Sequence, residues 1–184
     1  NDVLGDSIIY FDASASFDGD VSQSKPYKYY DTDKISFGST AHFAAGVYEV
    51  DSTLSISSSL NYKTTFIGAG SQNTIFKSSN SLLGFKIRDN ANFAVNGITF
   101  DSVRINNNGN LDATDVVFKN NNNKFSSIYS VSNTVNPTLK LTNCAFMDNF
   151  ASDLGGSVTV YNGHVDIINT IFNSHFNFFY NIFN

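Results

Sequence analysis

Several side chains in this 184-residue sequence could do chemistry, and their spacing decides which chemistry stays open. Hydrolysis of a sugar chain needs two carboxylates flanking one bond; elimination needs clustered carboxylates holding calcium beside an Arg or Lys. Here Asp101, Asp112, Asp148 and Asp166 are scattered along the chain, and no Asp-Asp pair occurs. His42, His164 and His175 lie far apart without zinc-site spacing, so structural roles are expected for them. Gly68-Ala69-Gly70 opens like a dinucleotide fingerprint, but position 73 is Asn and no helical pattern follows, so it reads as a turn. Asp12, Asp18 and Asp20 are close enough in sequence to hold calcium, yet they lack the EF-hand order and read as a solvated loop. Cys144 occupies an apolar position with no base nearby, which predicts a buried, inert thiol. Being the single cysteine, it excludes an internal disulfide. No cofactor and no metal are expected.

One set of residues keeps a binding chemistry open. Lys86, Arg88, Arg104, Asn106, Tyr129, Thr159 and Tyr161 fall at outward positions of successive short strands. Stacked about 4.8 Å apart, they would form a column of cations, amides and aromatic faces. Sugars stack on Tyr and hydrogen-bond to Arg and Asn, so the column reads as a glycan-binding strip. The other reading is an ordinary solvated sheet, which the absence of Trp favours.

The strands that would carry this column come from an internal repeat. Residues 93–100, 111–118, 139–146 and 165–172 align without gaps, and each unit ends in Phe. Alternation at period two puts the first and third residues of each unit on one face, as in a half-buried strand. The phase shifts at the fifth residue, which is Gly97, Asp115, Asn143 or Asn169. These types tolerate left-handed backbone at least cost, so a bend there starts a second strand with its own inward pair. The pairs are Ile98 and Phe100, Val116 and Phe118, Cys144 and Phe146, and Thr170 and Phe172. A stacked Asn/Asp ladder, each amide bonding the next coil, is expected along the bends. A third strand precedes each unit, at Phe85-Lys86-Ile87, Val103-Arg104-Ile105, Ile128 to Val131, and Val158-Thr159-Val160.

Spacings of 18, 28 and 26 between the terminal phenylalanines place insertions in the turns, where the run Asn120 to Asn123 also falls. Three short strands per coil predict an all-β fold, a right-handed parallel β-helix. One coil cannot fold alone, because ordering a residue costs about 1–2 kcal/mol and burying an inward Phe or Leu returns about 1.5–3 kcal/mol. Coils must stack and share their apolar faces. Residues 1–40 read as an N-terminal cap: a strand at Ile8 to Phe11, a Ser/Asp/Gly-rich loop, and a polar, helical turn at Lys28 to Ile35. Residues 41–184 read as coils, with two strands about a Gly bend at Ala41 to Val50 and the first regular coil starting at Leu54.

Ile9-Tyr10-Phe11-Asp12-Ala13-Ser14, Asp18-Gly19-Asp20, Ser24-Lys25-Pro26-Tyr27-Lys28, Ala45-Gly46-Val47-Tyr48, Phe66-Ile67-Gly68 and Leu141-Thr142-Asn143-Cys144-Ala145-Phe146 carry a family resemblance. Together they resemble the right-handed β-helix region of adhesin-like surface proteins of methanogenic archaea, within a pectin-lyase-like superfamily, over essentially the whole chain. The resemblance implies a secreted, cell-surface protein with further repeats and an anchor beyond residue 184. It brings no ligand with it. Arg104-Ile105 resembles an Arg-containing element of polygalacturonases, but the accompanying Asn-Thr-Asp, Asp-Asp and Gly-His-Gly elements are missing.

Composition narrows the partners. Apolar residues make up 41% and charged residues 15%, with a net charge of −5 and no basic cluster, which argues against a nucleic-acid partner. No apolar run is long enough to span a bilayer in this segment. The apolar tract Phe176, Phe178, Phe179, Tyr180, Ile182 and Phe183 reads as part of an excerpt from a longer protein. The expected function is a non-enzymatic, extracellular adhesin-like module attaching to glycans or surface proteins of another cell; the alternative is a polysaccharide lyase or glycoside hydrolase.

Overall fold

The structure, a computed structural model, describes residues 7–16, 19–57, 62–153 and 155–173. Asp18, His175 and the aromatic tract from Phe176 to Phe183 lie outside the described residues. Strand β1 (Ile8–Phe11) comes first, followed by a short 3-10 turn at Thr32–Lys34. The next coil comprises β2 (Thr40–Phe43), β3 (Gly46–Glu49) and β4 (Leu54–Ile56), and the one after it β5 (Lys63–Gly68), β6 (Thr74–Lys77) and β7 (Gly84–Ile87). Then come β8 (Asn92–Asn96), β9 (Thr99–Asp101) and β10 (Arg104–Asn107). Two coils carry longer turns. The first has β11 (Asn110–Thr114), β12 (Val117–Lys119), the two-residue β13 (Asn122–Asn123) and β14 (Ile128–Ser130). The second has β15 (Thr138–Thr142), β16 (Ala145–Met147), β17 (Phe150–Ala151) and β18 (Val158–Val160). Strands β19 (His164–Ile168) and β20 (Ile171–Asn173) begin another turn of the winding.

Successive coils pair strand on strand in three parallel sheets, ordered β1-β2-β5-β8-β11-β15-β19, β3-β6-β9-β12-β16-β20 and β4-β7-β10-β14-β18. This is a parallel β-helix, the fold class that the repeat predicts. Its core follows the alternation read from sequence. Phe93 and Val95, Leu111 and Ala113, and Leu139 and Leu141 point inward from the first sheet and are buried. Tyr48, Phe76, Phe100, Phe118, Phe146 and Phe172 share one register column of the second sheet. Phe118 and Phe146 stack with centroids 4.8 Å apart, and Phe146 and Phe172 at 4.9 Å.

The first bend is held by the backbone. Gly97, Asp115, Asn143 and Asn169 have φ of 66°, 54°, 53° and 48°. The N–H groups of Gly97, Asp115 and Asn143 donate to the carbonyls of Thr114, Thr142 and Ile168 in the next coil. The expected side-chain ladder is reduced to one rung, Asn169 Nδ2 donating to Asn143 Oδ1 at 2.7 Å; Gly97 has no side chain to contribute. A second left-handed column, unmarked in the sequence reading, follows the second sheet at Ser102, Asn120 and Asp148, with φ of 59°, 57° and 52°.

Three other expectations need correction. The run Asn120 to Asn123 is not merely a solvated turn. It contains β13, which pairs with β17, and a buried Asn121 whose N–H and amide donate to Asn149 Oδ1. Regular coiling starts at β2 rather than at Leu54, since β2 and β3 already pair with β5 and β6. The segment Lys28 to Ile35 has its short 3-10 turn, but Tyr30 and Ile35 are buried. Tyr30 inserts among Phe43, Phe66, Phe76 and Phe85, with ring centroids 5.2–6.4 Å away. The chain just before it shields the outer edge of β1: Tyr10 N donates to Val21 O, Tyr27 N to Tyr10 O and Asp12 N to Tyr27 O. An unpaired sheet edge invites foreign strands, and here residues 21–27 occupy it.

Candidate functional site

The outward face of the third sheet is built in register. Lys86, Asn106, Tyr129 and Thr159 stand side by side on β7, β10, β14 and β18. The sequence-predicted strip is therefore brought together in part. Arg104 lies on β10 opposite Gly84, Arg88 follows β7 and its Nε donates to Ser55 Oγ at 2.9 Å, and Tyr161 follows β18. Thr159 does not belong to the surface. It is 0% exposed, and its hydroxyl is hydrogen-bonded to Ser126 Oγ. Alternation assigns Thr159 to the outer face correctly, but cannot say that other chain covers it.

Tyr129 and Tyr161 meet edge to face, with centroids 5.8 Å apart and planes at 73°. They wall a cleft of about 310 Å³ together with Val131, Ser132, Asn133 and Asn162. Residues 131–134 are pinned on both sides. Asp89 Oδ1 accepts from Ser132 Oγ at 3.4 Å, and its Oδ2 accepts from Thr134 Oγ1. Asn162 Oδ1 accepts from Ser132 N at 3.1 Å, while Asn162 Nδ2 donates to Ser132 O. On the other side, residues of the β13–β14 turn fold back over the sheet, so that Phe125 places its ring 4.8 Å from the Arg104 guanidinium and 6.1 Å from Tyr129. A cation over a ring gains about 0.5–2 kcal/mol, which offsets part of the cost of half-burying Arg104. Burial pushes the Tyr129 hydroxyl upward, with Tyr161 adding to the shift and Arg104 opposing it.

Sequence reasoning missed Asp89, Phe125, Ser132, Asn133 and Asn162. All lie in turns, where no period marks a position; the local signal nearest to a warning was the aromatic Phe125 beside a run of Asn and Lys.

The remaining candidates resolve as local structure. Tyr10 and His42 stack at 5.2 Å on neighbouring strands. His164 Nε2 and Asp166 Oδ1 are 3.1 Å apart at the surface. Asp112 and Asp166 occupy one outward column of the first sheet with Lys140 between them, so opposite charge separates the two carboxylates. Asp101 is held by Lys119 at 3.6 Å and by Asn120 Nδ2, and Asp148 lies at a left-handed bend. Asp12 accepts from Ser14 N and Oγ, and Asp20 from Ser22 N; the Ser22 side chain and then its backbone N–H lower the Asp20 carboxyl below its ordinary range. Among the described residues, no three His, Cys, Asp or Glu side chains gather as a metal site. Cys144 is buried, its Sγ 3.4 Å from the carbonyls of Ala113 and Thr142, and burial pushes its thiol up to about 11.

No known family model matches the chain, and no curated protein matches it. Among solved structures it is similar to a rhamnogalacturonan lyase at 12% identity and a TM-score of 0.37, over 89% of this chain and 56% of the other. The chain thus spans little more than half of that protein, and a likeness this distant carries none of its activity across. Among the described residues, no helix is long and apolar enough to cross a membrane.

Proposed function

We propose that the chain is a non-enzymatic, extracellular attachment module of a cell-surface protein, and that it binds glycan chains on the outer face of its third sheet. The observation that carries this reading is the Tyr129–Tyr161 pair walling a cleft of about 310 Å³. Aromatic faces receive the apolar faces of sugar rings, while Asn133, exposed at the cleft, supplies an amide for hydroxyl groups. The rigid sheet and the pinned turn preorganise these groups, which lowers the ordering cost of binding. In this reading Lys86 and Arg88 form the edge of the strip, and Thr159, beside Tyr129 in register but covered, does not touch ligand.

A glycan array followed by calorimetry tests the proposal. Tyr129→Ala and Tyr161→Ala should each weaken binding by about tenfold, near 1.4 kcal/mol, while leaving the melting transition intact. Failure of the wild-type chain to bind any glycan would sink the reading, as would unchanged affinity in the double variant. Release of new reducing or unsaturated ends from a bound chain would overturn its non-enzymatic part and favour a lyase or hydrolase.

A further inference from the structure

Arg104 is half-buried, yet among the described residues no carboxylate pairs with it. Its Nε is buried without a hydrogen-bond partner. Burial works against its charge, and the Phe125 ring stands 4.8 Å from its guanidinium. The acids on the flanking turns are engaged elsewhere: Asp101 with Lys119, Asp153 with Lys124, and Asp89 with Ser132 and Thr134. A ring face attracts a cation but accepts no hydrogen bond along the guanidinium plane, so the two terminal Nη donors of Arg104 are left for a ligand while its Nε is covered. Beside it, Asn106 Oδ1 is likewise buried and without a partner.

We infer that the glycan recognised by this cleft bears an acid group, a carboxylate or a sulfate ester, which Arg104 binds directly through its guanidinium fork. The inference rests on the glycan reading above and names the ligand class for the same site. Planar two-point donation matches the oxygens of a carboxylate or sulfate. Tyr129 neighbours both Tyr161 and Phe125, whose ring faces the Arg104 guanidinium, so a sugar ring stacked in the cleft can direct a substituent toward Arg104. Binding of this kind needs no bridging calcium.

The test uses uronate-bearing and sulfated oligosaccharides beside their carboxyl-reduced and desulfated counterparts, measured in the presence of a chelator. The acidic chains should bind at least about tenfold more tightly than the neutral ones, and added salt should narrow the gap. Arg104→Gln should abolish that preference and Arg104→Lys should restore part of it, since lysine keeps the charge but loses the fork. Carboxylate and sulfate arms separate the two sources of the anion. Equal binding of acidic and neutral chains overturns the inference and leaves the glycan reading standing, as does a preference that survives Arg104→Gln. Absence of binding to every chain, acidic or neutral, overturns both. The ligand-side comparison decides the question even if the Arg104 variants misfold.

Discussion

Single residues in this fold are judged by which way the coil turns them. Cys144 stands at an inward place of its repeat, where Ile98 and Val116 stand in the two preceding coils, and it behaves as a small apolar side chain. Its ionisation has a consequence for stability. The unfolded thiol ionises near its ordinary value of 9.0, whereas burial holds the native one at about 11. The folded value is the raised one, so the protective contribution is whole below pH 9, shrinks between 9 and 11, and is gone above 11. Urea midpoints measured across this window should fall by an amount equivalent to about 2–3 kcal/mol. Cys144→Ala should flatten that decline at the expense of some stability at neutral pH. An unchanged pH dependence in the variant would show that the thiol is not the group responsible.

At the scale of the element, the third sheet places Arg104, and a glycine makes that placement possible. Gly84, the register partner of Arg104, has φ of +148°, and a Cβ there would lie 2.1 Å from the Arg104 carbonyl oxygen. Backbone cannot yield as a flexible side chain can. Gly84→Ala should therefore destabilise the protein by about 2 kcal/mol or more, and should push β7 and β10 apart enough to weaken glycan binding beyond what the melting shift alone accounts for. Thermal melting paired with calorimetry checks it; a variant with wild-type melting would show that the two strands tolerate the extra carbon. The bends make a complementary point. Gly97, Asp115, Asn143 and Asn169 were legible as one column because they recur at the fifth place of an ungapped unit. Ser102, Asn120 and Asp148 form an equally regular left-handed column, each two residues after the terminal Phe of its unit, but polar residues run on through that turn, so no shift of alternation marks the bend.

For the whole molecule, the end of the winding matters as much as its repeat. Tyr30 fills the bore beside Phe43 and Phe76, and residues 21–27 cover the edge of β1. Tyr30→Ala should open a cavity costing about 3–5 kcal/mol, with hydrogen exchange rising first in β2 to β4 because stability in a solenoid is a sum over neighbours. The Tyr30 hydroxyl is buried without a partner, and burial pushes its ionisation upward. Tyr30→Phe should therefore leave stability equal or raise it by about 1 kcal/mol. A large loss in the Phe variant would mean that the hydroxyl makes a bond that stabilises the fold, and the plug would have to be rethought.

The sequence by itself determined the coil. Period-two alternation, a fixed Phe and a bend residue are local constraints, and stacking repeats them until the fold has one solution, a parallel β-helix. It also determined which side chains face outward from each strand, Tyr129 and Arg104 among them. Tertiary structure decided what happens on that outer face. It buried Thr159 against Ser126, carried Phe125 over Arg104 and pinned Ser132 between Asp89 and Asn162. Those contacts bring turns onto strands and turns of other coils, across 21 to 43 residues of chain. Turns carry no period, so their meeting is set by three-dimensional stacking and leaves no pattern along the chain.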